Sequence, residues 1–514
     1  MNKMLEGLKG AFSGKGFEGN TITALVIAVT VVLNVLIYTL TSLFGWYIYS
    51  PESADLSLSG STDELFAEAI EDGEEVTVMF CLTEDALKSH DTGAYVLETA
   101  RGFAERYPDF VKLKFVNYLT RRDEDGKLVD LAKYKTDMRG NEIAIYDSSV
   151  IFISGENYKV LTDVYTAAGF ADFYTLNSKY EVEAYNGEEV MASMISWVLK
   201  DDSEHKTAYF TENHGETVDV AFSNMLSCAG YYVNVVNLRK QPVPEDAGLV
   251  VISNPRNDFE RAALEGSGVR TEIERLEAYL AEGNGGLGGS LYVSLDPYTR
   301  RLPVLEGFLF EHGITVEGRD GEFGYSRDLV KDDTNGISLD GLSILASYAE
   351  GEKATLIAES AKGANSASVL LARTARLTLS NGAKALLYSS PTSVAMNSDE
   401  VVDSEGGYAV VAYSDTTYDG GGTGRIVVMP SVLTTTTDTL ITKGYANKDF
   451  MYSVFEVLFD SLTSPRGANV VLYNTKMLEN LPMGLSRTVF VCLMIIPAAL
   501  AVVGYVTLKR RANR

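Results

Sequence analysis

Two long apolar runs without a charged residue, residues 21–46 and 488–508, lie near the two ends of the chain and constrain its architecture most. Each reaches the roughly 20 apolar residues that a helix needs to cross a bilayer. A cleaved signal peptide has an apolar core of only about 7–15 residues, so we interpret the first run as an uncleaved anchor. Basic residues at 509–514 favour a membrane helix over a buried core helix for the second run. We therefore predict one transmembrane helix at each end.

The charges of the two tails predict the orientation of the chain. Residues 1–20 carry net +1 and residues 509–514 carry net +4, so both tails are expected in the cytoplasm and residues 50–486 outside the plasma membrane. The whole chain carries −26, which leaves −31 on the part between the tails. Such a charge repels nucleic acid and argues against a polyanion-binding role. The expected localisation is a two-pass membrane protein.

The part between the runs has an α/β pattern that suggests two domains. Residues 50–200 predict a β-α-β unit, then three short strands over 142–161, and a closing helix at 188–200. Residues 206–470 alternate strands with helices, which predicts a parallel sheet covered on both faces. Within that second domain, residues 320–403 give one clear strand, 383–388, and otherwise leave the fold open.

One cluster invites a functional interpretation, His214, Gly215 and Glu216, at the carboxyl end of the predicted strand 207–211. Ligands bind at that edge of open α/β sheets, so we note these three residues as a candidate ligand or interaction site. The alternative is structural: Glu216 favours the dipole of the next helix and Gly215 makes the turn. We favour the structural interpretation and predict no catalytic residue.

The sequence does not match the patterns of a redox, metal-binding or phosphate-binding site. Cys81, Cys228 and Cys492 form no redox pair at two-residue spacing, and whether Cys81 and Cys228 form a disulfide stays open. The four histidines are not at metal-ligand spacing. The glycine-rich stretches 283–289 and 420–424 do not run from a strand into a helix, as a phosphate-binding loop does. We expect no metal, nucleotide or other cofactor.

Several stretches together resemble the GldG-type auxiliary components of ABC transporters, named for gliding motility. They are the serine-rich tract 55–62, the strand and turn 208–216, the segment 244–255, the helix and strand 276–297, and the pieces 424–428 and 447–450. The resemblance implies a thioredoxin-like first domain without redox cysteines. It also implies a second domain similar to class I glutamine amidotransferases, or flavodoxin-like, without the catalytic nucleophile. Separate permease and ATPase chains are the partners that it implies.

The sequence therefore predicts a non-enzymatic, doubly anchored auxiliary subunit of an ABC-type transport system. Its outer domains would bind a substrate, the envelope or another subunit, and its helices would contact the lipid bilayer. One alternative is an outer-surface amidotransferase or hydrolase that uses His214 and Glu216. Another is a stand-alone surface-binding module. The transported substrate, the direction of transport and the stoichiometry are not predicted.

Overall fold

The computed structural model describes residues 56–162, 170–176, 182–260, 270–321, 324–361, 368–442 and 444–472. These residues belong to one compact unit of mixed α/β architecture. The described residues of the two expected domains, 50–200 and 206–470, belong to this single unit.

The expected membrane architecture needs a correction. No helix within the described ranges is both long and apolar enough to cross a membrane. The runs 21–46 and 488–508, on which the prediction of two transmembrane helices depended, lie outside the described residues. We correct the fold class to a mixed α/β fold. The two-pass membrane protein and its plasma-membrane localisation are not carried further.

The helices within the described ranges are α1 (Ser61–Glu71), α2 (Glu84–Lys88), α3 (Gly93–Arg106), α4 (Gly187–Val198), α5 (Val220–Cys228), α6 (Glu272–Gly286), α7 (Pro303–Glu311), α8 (Glu352–Ala361), α9 (Thr437–Leu440) and α10 (Asn447–Phe459). The strands are β1 (Val76–Phe80), β2 (Val111–Asn117), β3 (Arg122–Asp123), β4 (Val150–Ser154), β5 (Asn157–Leu161), β6 (Tyr174–Leu176), β7 (Val182–Tyr185), β8 (Thr207–Thr211), β9 (Tyr232–Val236), β10 (Ala247–Ser253), β11 (Ser290–Ser294), β12 (Ile314–Val316), β13 (Gly318–Gly321), β14 (Gly324–Arg327), β15 (Leu329–Lys331), β16 (Ser343–Tyr348), β17 (Val369–Ala372), β18 (Leu377–Leu379), β19 (Lys384–Tyr388), β20 (Val394–Asn397), β21 (Glu400–Asp403), β22 (Ala409–Thr417), β23 (Thr423–Met429) and β24 (Val471–Leu472).

A five-stranded sheet with the order β3-β2-β1-β4-β5 forms the core of the N-terminal half. β1 pairs with β2 in parallel and with β4 in antiparallel fashion, and β4 and β5 form a hairpin. Val76, Val78 and Phe80 alternate toward one buried core with side chains of α3. The elements expected at 75–81, 95–107 and 111–117 are β1, α3 and β2. Of the three strands expected over 142–161, the first is only an isolated bridge at Glu142.

A larger mixed sheet forms the C-terminal half. Its main path runs β17-β16-β19-β22-β23-β11-β10-β8-β9, and β9, β8, β10, β11 and β23 are mutually parallel. Every residue of β8, β10 and β11 is buried, as expected for parallel strands covered on both faces. From β22 onward the pairing is antiparallel, which the expectation of a parallel sheet did not include. Residues 320–403 supply much of this antiparallel part.

Charged side chains hold the two halves together. Arg139 of the N-terminal half donates to the Thr207 hydroxyl at 2.8 Å, to the Asp246 carboxylate at 3.0 Å and to the His205 carbonyl at 2.7 Å. Its guanidinium also lies 3.8 Å from the ring centroid of Tyr232. β24, at the end of the described chain, pairs with β7, so the C-terminal segment returns to the N-terminal half.

Candidate functional site

The candidate cluster lies where the order of the parallel strands reverses. The chain runs from β8 to β9 on one side, and then to β10 on the other side of β8. The loops after β8 and β10 therefore diverge at their carboxyl ends, which in open α/β sheets creates a ligand-binding crevice. His214, Gly215 and Glu216 lie in the loop after β8, as the sequence predicted.

The backbone of this loop is fixed by the loop after β10. The amides of Arg256 and Asn257 both donate to the His214 carbonyl, each at 2.8 Å. Gly215 has φ +73, and a Cβ there would lie 3.3 Å from the Cβ of Arg256. Glycine suits this position for two reasons, because the backbone is left-handed and because a side chain would lie close to Arg256. The predicted turn role of Gly215 agrees with this geometry.

His214 is at the centre of a buried group of ion pairs, which we call the His214 cluster: His214, Glu216 and Glu272. Nδ1 of the imidazole lies 2.8 Å from the Glu216 carboxylate, and Nε2 lies 3.0 Å from the Glu272 carboxylate. The side chain of His214 is 0% exposed, and those of Glu216 and Glu272 are 6% and 1% exposed. The Phe259 ring stacks on the imidazole at 4.0 Å. Both ring nitrogens are thus occupied.

The carboxylates determine the charge of the imidazole. Burial alone would lower the pKa of His214, but hydrogen bonds to Glu216 and Glu272 outweigh burial and raise it to about 9. Burial raises the pKa values of the two carboxyls, but their hydrogen bonds with His214 lower them further, so each lies below its usual value. At neutral pH the cluster is an imidazolium between two carboxylates.

This arrangement restricts the chemistry of the crevice. A general base needs a free lone pair and a pKa near the working pH, and His214 has neither. Glu216 also accepts the His214 amide at 2.7 Å, and Glu272 accepts the Glu260 amide at 2.8 Å. The cluster therefore connects the loop after β8 with the backbone at Glu260 and with the first turn of α6.

Neither Cys81 nor Cys228 is activated as a nucleophile. Cys81 and Cys228 are both free and buried, which answers the open disulfide question in favour of thiols. Burial raises the pKa of each thiol to about 12, so both stay protonated at neutral pH. Cys492 lies outside the described residues. Within the described part of the chain, no group of three or more His, Cys, Asp or Glu side chains could hold a metal ion.

Glu272 is a member of the cluster that the sequence did not reveal. It is the first residue of α6, after Thr271, whose hydroxyl caps the helix in a capping box with Glu274. An acid in the first turn of a helix is ordinarily explained by the helix dipole. Its partner His214 lies 58 residues earlier in the chain, and only the folded structure brings the two side chains together.

A second buried group was also missed, and we call it the Glu189 cluster: Glu188, Glu189, Lys448 and Tyr452. Lys448 Nζ and the Tyr452 hydroxyl each lie 2.5 Å from the Glu189 carboxylate. Glu188 accepts the amides of Ser59 and Asn469, each at 2.6 Å. One carboxylate therefore joins the first and the last described segments of the unit.

No protein-family model matches the chain, and no curated protein matches it. Among solved structures, the mmIFT52 N-terminal domain is 15% identical and covers 49% of this chain and 96% of its own, with a TM-score of 0.35. Cytoplasmic protein STM3548 from Salmonella typhimurium is 10% identical and covers 49% of this chain and 98% of its own, with a TM-score of 0.29. PurLQS from Thermotoga maritima is 13% identical over 49% of this chain and 98% of its own, with a TM-score of 0.27. At these TM-scores the likenesses carry no argument.

These comparisons correct part of the expected role. They give no support to an ABC transporter, a gliding-motility or a thioredoxin-like function, and we do not carry these assignments further. The resemblance to the GldG-type family is not tested by them and stays a prediction.

Proposed function

We propose that this protein is a non-enzymatic binding subunit that acts through partner proteins. The observation that carries the proposal is the His214 cluster, which lies buried at the sheet edge where an open α/β sheet would hold a substrate. Residues that close a crevice with buried ion pairs act as structural supports. We therefore assign the binding role to the outer surface at the carboxyl edge of the parallel strands.

Exposed aliphatic side chains at this same edge support a protein-binding role. Val218 and Val220 precede and begin α5, and Val235 lies near the carboxyl end of β9, the last strand of the sheet. Their exposed fractions are 43%, 65% and 56%. Apolar side chains that flank a closed crevice are suited to contact a partner protein. The formal charge of −26 favours a partner whose surrounding surface is basic.

A co-purification experiment with surface variants tests the proposal. We expect the tagged wild-type chain to recover the same partners repeatedly in a fixed ratio, and the double variant V220D/V235D to lose them while its unfolding temperature stays unchanged. The matched control is L119D/L287D, which places the same charge on two exposed leucines that are not part of this group of valines. Their exposed fractions are 87% and 71%. Equal recovery by V220D/V235D, or equal loss in the control, would refute binding at this edge.

The hydrolase alternative makes a different prediction. An enzyme that uses His214 and Glu216 would hydrolyse an ester or amide substrate, and His214→Gln would abolish that activity without unfolding the protein. We expect the folded wild-type protein to show no turnover that depends on His214. The expected permease and ATPase partners stay a prediction, and the same co-purification tests them.

A further inference from the structure

A cavity of about 350 Å³ lies between one face of α7 and the β13–β14 hairpin. Pro303, Glu306 and Phe310 contribute the helical side, at the three- and four-residue spacing of one helix face. The hairpin forms a two-stranded sheet of its own, separate from the large sheet. An isolated hairpin has little stability alone, and a hydrogen bond from Arg327 of β14 to Glu306 connects this hairpin to α7.

Two arginines line this cavity, and a third, Arg327, is buried beside the Tyr325 ring that also lines it. Arg301 and Arg319 line it, and the side chain of each is 53% exposed. The guanidinium carbons of Arg301 and Arg327 lie 5.7 and 5.6 Å from the Tyr325 ring centroid. The same lining holds three acids, Glu306, Glu317 and Asp320, so the charge available from the two arginines depends on how far these acids pair with them.

Arg327 has more hydrogen-bonding capacity than its surroundings use. Its side chain is 0% exposed, and Nη2 donates to Glu306 at 2.8 Å. Nε and Nη1 are buried without an acceptor among the described residues. Buried donors without partners are costly, so they mark a place where an additional acceptor would stabilise the protein.

The acids around the cavity leave the two exposed arginines only weakly paired. Glu306 is engaged by Arg327 and by the Leu302 amide at 2.8 Å. Asp320 lies 3.9 Å from Arg301, and its side chain is 79% exposed. Arg319 Nε is likewise 3.9 Å from the Asp328 carboxylate, which also pairs with Arg376 at 2.8 Å. Glu317 is the third acid of the lining.

We propose that this cavity binds a small oxyanion ligand, with its phosphate or carboxylate group held by Arg301 and Arg319. Guanidinium groups match the geometry of both oxyanions and bind them through paired charged hydrogen bonds. Arg327 engages Glu306 from the buried side and so offsets the negative charge of this acid beside the cavity. The volume lies within the range of small-molecule sites, about 300–1,000 Å³. The apolar face of Phe310 and the Tyr325 ring suit a ligand with an aromatic body.

Calorimetric titration of the full chain tests this site, with inorganic phosphate, phenyl phosphate and benzoate as probes at constant ionic strength. We expect saturable binding of at least one probe, tighter for phenyl phosphate than for inorganic phosphate. R301Q/R319Q should weaken that binding about tenfold or more, because it removes two charged hydrogen-bond donors. Preference for phenyl phosphate or for benzoate identifies the oxyanion.

The control R121Q/R122Q removes two exposed arginines of the N-terminal half and should leave the affinity unchanged. Absence of binding by the wild-type protein would overturn the proposal. Equal affinity in wild type and R301Q/R319Q, or equal loss in the control, would also overturn it. The outcome is independent of partner recovery by V220D/V235D, so failure here leaves the proposed function standing.

Discussion

The two buried charged clusters use similar groups at different places in the fold. The His214 cluster joins His214 to Glu216, two residues away, and to Glu272, 58 residues away, at the carboxyl edge of the parallel strands. The Glu189 cluster joins Glu189 to Lys448 and Tyr452, which are 259 and 263 residues away. The first closes a crevice within one sheet, whereas the second connects the two halves of the unit. Burial of charge in this protein therefore supports architecture in both places.

The largest effect is expected when the long-range connection is broken at Glu189. Glu189→Leu leaves the Lys448 ammonium, whose side chain is 14% exposed, without its carboxylate. Loss of one partner of a buried ion pair costs about 3–5 kcal/mol of the free energy of unfolding, measured by urea denaturation. E189L/K448M removes both charges and should recover most of that loss. A loss no larger than that of Glu64→Leu, which alters an exposed acid, would show that the cluster does not connect the halves.

A somewhat smaller loss is expected at the His214 cluster. His214→Gln removes the imidazolium between two buried carboxylates, and the shift of its pKa from 6.5 to about 9 corresponds to about 3 kcal/mol. His312→Gln is the matched control, because His312 pairs with Glu277, whose side chain is 34% exposed. We expect urea denaturation to give about 1 kcal/mol for the control, the ordinary net contribution of a hydrogen bond. Equal losses would remove the distinction between the two-carboxylate cluster and a histidine that contacts a single carboxylate.

The pH dependence of stability separates the two clusters further. His214 has its pKa raised on folding, so its contribution is complete below pH 6.5 and is lost as the pH rises toward about 9. Across that window the free energy of unfolding should fall by up to about 1.4 kcal/mol per pH unit. His214→Gln should flatten this slope, whereas E189L/K448M should keep it. A wild-type slope that persists in His214→Gln would contradict the assignment.

The smallest effect is expected at Arg139, the partly exposed connection between the halves. Its side chain is 25% exposed, so solvent screens its ion pair with Asp246. Arg139→Met should cost about 1–2 kcal/mol in urea denaturation, chiefly through its hydrogen bonds to Thr207 and the His205 carbonyl. Arg139→Lys should restore less than half, since an ammonium cannot reproduce the guanidinium geometry. A loss as large as that of Glu189→Leu would reverse the order of the two connections.

The sequence predicted those features that depend on local pattern. Short runs rich in apolar and β-branched residues indicated β1, β8 and β10, and the Gly215 turn was predicted from its place after the strand 207–211. The isolated bridge at Glu142 shows where a strand-like pattern met no partner strand. Pairing partners are decided by the fold, so within residues 320–403 only the strand 383–388, which is β19, was predicted, and its antiparallel pairing was not.

The same limit applies to the candidate site. His214 and Glu216 are close in sequence and could be recognised as a pair, but the second carboxylate of Glu272 comes from α6. In the sequence, Glu188 and Glu189 are ordinary acids in the first turn of a helix. Their partners, Lys448 and Asn469, are more than 250 residues away, so no local pattern indicates them. The local motif indicated where to look, and the distant partners determined that the imidazole is charged and enclosed.

The most direct test of the closed crevice is the pKa of the His214 imidazole, measured by NMR titration of histidine-labelled protein. His214→Gln identifies the resonance among the four histidines. We predict a pKa of about 9, with both ring nitrogens protonated at neutral pH. A pKa at or below the ordinary value of about 6.5 would leave a neutral imidazole able to act as a base, and would contradict the non-enzymatic account.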